Sequence, residues 1–576
     1  MTAREQLAQF AAGSKALPRL CREYKKERAT VHLKELVGGA LSFYAAAAAA
    51  KTGGVHVFVA EDRDAAAYLM NDFYNLLDEK QVYFFPSSYK RSVAYGAEDA
   101  QGVVQRTAAM NAVKGFTKGY LIVCTYPEAL AERVADAETL RRDTIAVKVG
   151  DSISIAVLED ALVDANFTRV DFVYEPGQYS VRGGIVDVFS FSESKPYRID
   201  FFGDEVDSIR RFNISSQLSA DKLDRVEIIP NLNAGDGAAK VSFVQFAGDA
   251  AAYWFYDADY VLRRVNDIRR KTLADMERPE EIDRLMTSRN ALLGDLANCR
   301  MLALRDNLPE RPATAAVEFD TAPQPKFNKN FEMLADDMIR NSLRGYTTYI
   351  LSENKVQVER LENIFHQIGR GQAVVRPLSV TLHEGFVDND LKLCLYTDHQ
   401  IFDRYQRYRI NGEIRRDEQM TVAELNQLRP GDYVVHIDHG VGRFDGLVKI
   451  NENGKAHEAI KLVYKDGDVL FVNVHSLHRI SRYKSGDGEP PKVYKLGNGA
   501  WQKLKNATKK AVKDISRELI ALYAKRKASK GFAFTPDSYL QHELEASFQW
   551  EDTPDQQTTV AAVKKDMAVS YTHLRA

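Results

Sequence analysis

The stretch that most constrains this chain runs from Arg429 to Tyr483. Residues 432–437 and 442–450 are rich in β-branched and aromatic side chains, the composition of strands. Asn453-Gly454 offers the φ > 0 pair of a tight hairpin. Asp466-Gly467 offers a second, joining residues 460–464 to 469–474. Four short strands in so few residues cannot leave flat edges open to water, so the pattern predicts a small closed or half-closed β-barrel. A barrel of that size has no room for a deep active site, which makes the stretch a binding module.

The rest of the chain bounds what surrounds that module. Its 576 residues make room for about four domains. Basic and acidic side chains balance, 78 against 80, so a polyanion-binding surface would have to be local. Cys21, Cys124, Cys299 and Cys394 lie far apart without a CxxC pair, the usage of a reduced compartment. The start, MTAREQLAQF, has no signal-peptide pattern. The longest mostly apolar run, 41–50, ends at Lys51, too short to span a bilayer. A soluble, cytoplasmic, multidomain protein without a membrane partner is expected.

Residues 33–130 alternate strands and helices: strand 56–60, helix 64–77, strand 82–85, and strand 120–125 feeding a helix at Pro127. That order predicts a parallel sheet covered by helices. A nucleotide-binding version would carry GxxxxGK[ST] before its first helix. Here the loop reads Leu36-Val37-Gly38-Gly39-Ala40-Leu41-Ser42-Phe43, a glycine pair with no lysine to meet a phosphate. A structural domain is the economical reading.

Residues 145–215 turn to β patterning. Residues 179–189 read as one strand run, and 197–209 as a hairpin turning at Gly203-Asp204. Beyond 221 the signal thins. Residues 263–300 alternate charges as a solvated helix face does, and 348–351, 353–368 and 373–376 read strand, helix, strand. Two HxxH pairs, His436/His439 and His475/His478, invite a metal. Residues three apart on a strand point to opposite faces, however, and no cysteine or carboxylate completes either pair. Turn and strand-end histidines account for them better. From Trp501 to Lys527 the residues Trp501, Leu504, Thr508, Val512, Ile515, Leu519 and Leu522 form one apolar helical stripe. Residues 501–530 carry ten Lys or Arg and two acids, suiting phosphate contact or a solvated linker helix.

A family resemblance sharpens this. PGDYVVHIDHGVGRF followed by LFVNVHSLHRISRY resembles the RNA-polymerase-interacting domain of the bacterial transcription-repair coupling factors, and the match runs on through residues 430–567. Upstream, the first module is similar to excinuclease B. It implies a helicase-type fold without nucleotide chemistry and, with only Tyr89 and Tyr95 among residues 86–105, without a damage-probing hairpin. Phe548-Gln-Trp-Glu-Asp-Thr-Pro-Asp-Gln556 resembles the adenine-reading motif ahead of a superfamily 2 motor, with Phe548 and Gln556 the implied contacts. Thr553 is placed to cap a helix begun at Pro554 and continued by Val560, Val563 and Met567. After Met567 the chain departs from the family and closes on SYTHLRA, which reads as a truncation or a sequencing artefact.

The resemblance implies a multidomain α/β fold: a degenerate helicase-like parallel-sheet module (1–135 and 216–325), an inserted β-rich domain that docks excinuclease A (136–215), and a small α/β domain (326–420). A polymerase-binding β-barrel (425–490), a long connecting helix (498–530) and the start of an ATPase motor (531–576) follow. Arg169, Arg182 and Phe189 are the implied excinuclease A contacts, although Arg182 and Phe189 also suit a strand-end charge and a core aromatic. Leu447, Val448 and Ile450 are placed on the edge that would meet the RNA polymerase β subunit. No catalytic residue, metal or cofactor is expected in these residues, while ATP, Mg²⁺ and double-stranded DNA belong to the complete family protein. The family's work is ATP-driven displacement of a stalled polymerase and recruitment of excision repair. A stand-alone, polymerase-binding transcription regulator is the alternative, and the excinuclease-B-like strands at 179–209 argue against it.

Overall fold

The computed structural model describes residues 2–89, 99–214, 219–232, 239–276, 278–353, 355–404, 428–436, 439–452, 455–473 and 480–483, and beyond these mainly 532–538 and 554–568. Tyr95, the Asn453-Gly454 turn, His475, His478, the 501–527 helix apart from Lys503 and Ala507, Thr553 and the SYTHLRA end lie outside them. The chain divides into two compact units, one of residues 1–212, 219–413 and 537–552, the other of 213–218, 414–536 and 553–576.

At the centre of the first unit is a seven-stranded sheet. Its order is Ala315–Glu318, Thr30–Lys34, Arg300–Ala303, Ala252–Phe255, Gly54–Val59, Tyr120–Thr125, Val82–Phe84. Every adjacent pair is parallel. Parallel strands must be covered on both faces, and Val57, Phe58, Ile122, Val123 and Tyr253 are accordingly buried. Helix Ala40–Thr52 packs through Ala45, Ala48 and Ala49, small side chains that let its backbone approach the sheet. The parallel sheet foreseen within 33–130 is present, but four of its strands come mainly from elsewhere: Thr30–Lys34 at its start, and Ala252–Phe255, Arg300–Ala303 and Ala315–Glu318 from the residues beyond 221, where the sequence signal thins. Of residues 263–300, read as a solvated helix face, the described α-helical parts belong to Ala258–Asp275, Ile282–Leu285 and Arg289–Leu296.

A six-stranded sheet follows, ordered Ser219–Leu223, Glu205–Phe212, Tyr197–Phe202, Ile185–Val188, Gln178–Arg182, Thr168–Arg169. Helix Ile155–Asp164, capped by the Ser154 hydroxyl, lays Leu158 and Leu162 into a core with Val186, Val188, Ile199 and Ile209. The hairpin at Gly203-Asp204 is present. The single run expected over 179–189 is instead two antiparallel strands, because Gly183 takes φ 62° and reverses the chain.

The smaller α/β layer of this unit is a five-stranded sheet, Thr321–Pro323, Phe386–Asp388, Leu393–Thr397, Thr347–Leu351, Pro377–Leu378. Helices Phe331–Leu343 and Lys355–Gln367 supply Leu334, Met338, Leu361 and Ile364 to its core. The strand placed at 373–376 begins later, at Pro377: Ala373 is held in a turn by Arg370 O, and pairing starts where Ile350 meets Pro377.

In the second unit the described strands form one antiparallel sheet, Val469–Asn473, Lys455–Val463, Gly440–Glu452, Tyr433–His436, Ile480–Arg482. It has five strands where four were foreseen, the added one pairing Ile480 with His436. Asp466 and Gly467 turn between two of them with φ 64° and 83°. Among the described residues no pairing joins the two outer strands, and the pairings found make one five-stranded sheet. Among the described residues, no helix is long and apolar enough to cross a membrane.

Candidate interaction surfaces

The six-stranded sheet turns one face to its helix and the other outward, and the outward face is organised by a single acid. Asp187 sits in an otherwise apolar strand, with its side chain fully buried. A buried carboxylate must be paired. Antiparallel register sets Arg198 directly opposite, and its Nε and Nη2 donate to Asp187 at 2.7 and 2.9 Å. This fork is geometrically specific and strong. It also raises the Arg198 pKa above its ordinary value. Arg182 donates to the same carboxylate from the neighbouring strand and lies 4.8 Å over the Phe172 ring.

Of the three residues placed on this surface from sequence, Arg182 is 29% exposed at its side chain. Arg169 is more open and pairs with Glu159 at 2.7 Å. Phe189 is 2% exposed and lies in the interior, so it does not present a ring to a partner. Asp187 and Arg198 were not singled out from sequence. The available signal was one acid inside Ile-Val-Asp-Val. Phe202, 84% exposed at the Gly203-Asp204 hairpin, adds an apolar side chain.

In the second unit, strand Gly440–Glu452 is paired on both sides only near its start. Tyr433–His436 covers Gly440 to Arg443, whereas Lys455–Val463 pairs as far as Glu452. From Leu447 on, the other edge has no pairing among the described residues. Gly446, at φ 99°, sits in a register shift of the pairing with Lys455–Val463, on the other side of the strand. Leu447 is 43% exposed and Val448 half-buried. Ile450 pairs with His457 along the backbone, and its side chain lies outside what is described. An open edge with apolar side chains is what β-strand addition requires. The His436 and His439 rings are 4.8 Å apart. Among the described residues, no cluster of three or more His, Cys, Asp or Glu could hold a metal.

The glycine loop is a third feature. Gly38 takes φ 55° and Gly39 caps helix Ala40–Thr52. The amides of Ala40 and Leu41 bond back to Val37 O and Gly38 O at 3.1 and 3.2 Å. A crevice of about 490 Å³ lies alongside, lined by Leu36, Phe58, Tyr68, Trp254, Tyr256 and Glu384 among others. Phe548 is 55% exposed, and Gln556 is exposed on helix Pro554–Met567. Val560, Val563 and Met567, foreseen as a continuing apolar face, are 39%, 50% and 45% exposed.

Two family models match these surfaces: the UvrB interaction domain over residues 145–233, and the CarD-like/TRCF RID domain over 428–484. The Transcription-repair-coupling factor of Bacillus subtilis (strain 168) is 26% identical over 620 residues, covering 93% of this chain and 52% of the relative. The chain resembles the transcription-repair-coupling factors. That of Staphylococcus haemolyticus (strain JCSC1435) is 26% identical over 578 residues, 87% of this chain and 49% of its own. The chain thus spans about half the length of the curated relatives it matches. The sheet organised by Asp187 falls inside the first family model, and the open-edged sheet coincides with the second. This places the chain's likeness in DNA repair coupled to transcription.

Proposed function

We propose that this chain serves transcription-coupled nucleotide excision repair in the cytoplasm by holding RNA polymerase and excinuclease A at once. The observation that carries the reading is that a UvrB interaction domain and an RNA-polymerase-interacting domain of the coupling-factor type occur on one chain. Polymerase binds through its β subunit along the edge bearing Leu447, Val448 and Ile450, by main-chain pairing with one or two apolar side chains adding specificity. Excinuclease A binds the face where Asp187 fixes Arg182, with Arg169 at the rim and Phe189 in the interior. In a protein of full family length, Phe548 and Gln556 would contribute adenine contacts to an ATP- and Mg²⁺-dependent motor that moves on double-stranded DNA.

The test is a bridging assay. Immobilised excinuclease A should capture RNA polymerase only when the chain is added, and Arg182→Gln should abolish capture while leaving the binary polymerase complex intact. A chain that binds polymerase but never excinuclease A would be a stand-alone transcription regulator, and the repair reading would fall.

A further inference from the structure

The crevice beside the glycine loop lies at the carboxyl ends of parallel strands, where open α/β sheets bind their ligands. Its walls come from residues following four of them: Leu36, Ala60, Tyr256 and Leu304. Residues 381–385 of the small α/β layer run across the glycines. A Cβ built on Gly39 would stand 2.1 Å from Glu384 O, and one on Gly38 3.1 Å from Gly385 O. The glycine pair therefore admits the backbone of this loop.

Around that crossing lies a polar chain that the proposed function does not use. Asn75 Nδ2 donates to Thr381 O at 2.9 Å, and the His383 ring stacks on Tyr68 at 3.8 Å. His383 N donates to Asp72 Oδ1 at 2.6 Å. Asp72 Oδ2 lies 2.7 Å from Ser42 Oγ, which lies 3.0 Å from Gly39 O. Asp72 is 3% exposed. With Asp72 neutral, every group is satisfied: Oδ2–H donates to Ser42, Ser42 donates to Gly39 O, and Oδ1 accepts from His383. With Asp72 ionised, the Ser42 hydroxyl turns towards it, Gly39 O keeps only the Phe43 amide at 3.0 Å, and a charge that no Lys or Arg pairs among the described residues is left buried.

We propose that residues 381–385 form a proton-controlled lid on the glycine turn, held shut by neutral Asp72 and loosened when Asp72 ionises. Burial, the largest influence, pushes Asp72 up to about 7. The Ser42 and His383 hydrogen bonds and nearby His399 act downward, and Glu384 acts upward. The Cys124 thiol also senses this carboxylate. A carboxyl raised in the closed state favours closure at low pH, and this preference is lost as pH climbs from the carboxyl's open-state value to about 7. Above that the effect is spent, so near neutrality the lid is at its loosest. Local openings of this kind lie well below global unfolding in free energy.

Hydrogen exchange of the whole chain, corrected for intrinsic rates, reads the lid through the amides of residues 381–386. Opening should rise with pH by at most about tenfold per unit, so by up to about 100-fold between pH 5 and 7. Asp72→Asn mimics the neutral carboxyl: its amide can donate to Ser42 and its oxygen can accept from His383. It should flatten the profile at the closed, acid-side level. Gly39→Ala, at a φ of −64° that alanine tolerates, should open the lid at every pH by pressing on Glu384 O. A flat wild-type profile, or an Asp72→Asn chain that opens as readily at pH 7 as wild type, would overturn the proposal.

Discussion

Replacing Asp187 by Asn tests whether one buried acid organises the excinuclease-facing sheet. The side chain is fully buried, and it accepts from Arg198 at 2.7 and 2.9 Å and from Arg182 besides. Asparagine keeps the shape, loses the charge and turns an amide donor towards two guanidinium groups. Breaking a buried ion pair on one side costs about 3–5 kcal/mol, because the partner's charge stays behind. Arg182, at 29% exposure, can swing towards water, while Arg198, at 15% and stacked 4.5 Å over Phe212, cannot. Partial solvation places the cost near the low end, about 3 kcal/mol. The readout is native-state hydrogen exchange in strands Gln178–Arg182 to Glu205–Phe212 of the intact chain, where that loss means roughly a hundredfold faster opening. Arg182→Gln is the contrasting variant. Asp187 keeps its fork with Arg198, so stability should fall by about 1 kcal/mol or less while excinuclease A binding is lost. Arg182→Glu would be ambiguous, since it sets a second carboxylate beside a buried one. The reasoning fails if Asp187→Asn costs under about 1 kcal/mol, or if Arg182→Gln destabilises the sheet equally.

Three further outcomes follow. Leu447→Glu, at a position 43% exposed on the open edge, should weaken binding to the polymerase β subunit by about tenfold or more with the melting temperature unchanged; a matching drop in melting would make Leu447 part of the core. His56, buried with Nδ1 accepting from Trp254 at 3.2 Å and Nε2 facing Gly53 O at 3.0 Å, is pushed down to about 4, chiefly by burial. Its stabilisation is present above about pH 6.5 and is lost as pH falls towards 4, about 3 kcal/mol in all. His56→Gln should remove that acid-side slope in urea titrations, and an unchanged slope would refute the assignment. The 576-residue chain should show no DNA-stimulated ATP hydrolysis, since no lysine stands at residues 36–43. Turnover above a blank would show that some other group anchors the phosphates.

Local pattern made some of the fold legible. Tyr120–Thr125 coincides with its sequence reading, and Gly54–Val59 starts two residues before and ends one residue before the strand read at 56–60. The strands that were missed share a cause. Ala-Tyr-Trp-Phe at 252–255 and Arg-Met-Leu-Ala at 300–303 are short, do not alternate, and are buried by parallel neighbours far away in sequence, and Ala-Ala-Val-Glu at 315–318 is a short edge strand with only Val317 buried. Nothing near Met301 announces that it pairs with Thr30. The hairpin at Gly183-Gly184 was hidden for a different reason. Its flanks are β-rich on both sides, so the glycines read as an interruption within one strand, whereas the positive φ at Gly183 makes them its end.

The sites show the same division between local residue type and non-local partner. Arg182 was visible from sequence, but Asp187, which fixes it, becomes meaningful only once register brings Arg198 opposite. The glycine pair is the harder case. Gly38-Gly39 without a following lysine fits two histories: a phosphate site that has lost its chemistry, or a turn that needs glycine for packing. Sequence separates them poorly, because both demand a backbone that something else can approach closely. The structure supplies the approaching group, Glu384 O, where a Cβ on Gly39 would be 2.1 Å away. Alanine at Gly39 would be tolerated by the local backbone, at φ −64°, and excluded only by that carbonyl. The requirement for glycine therefore lies in the packing of residues 381–385 and holds whether or not any phosphate ever binds.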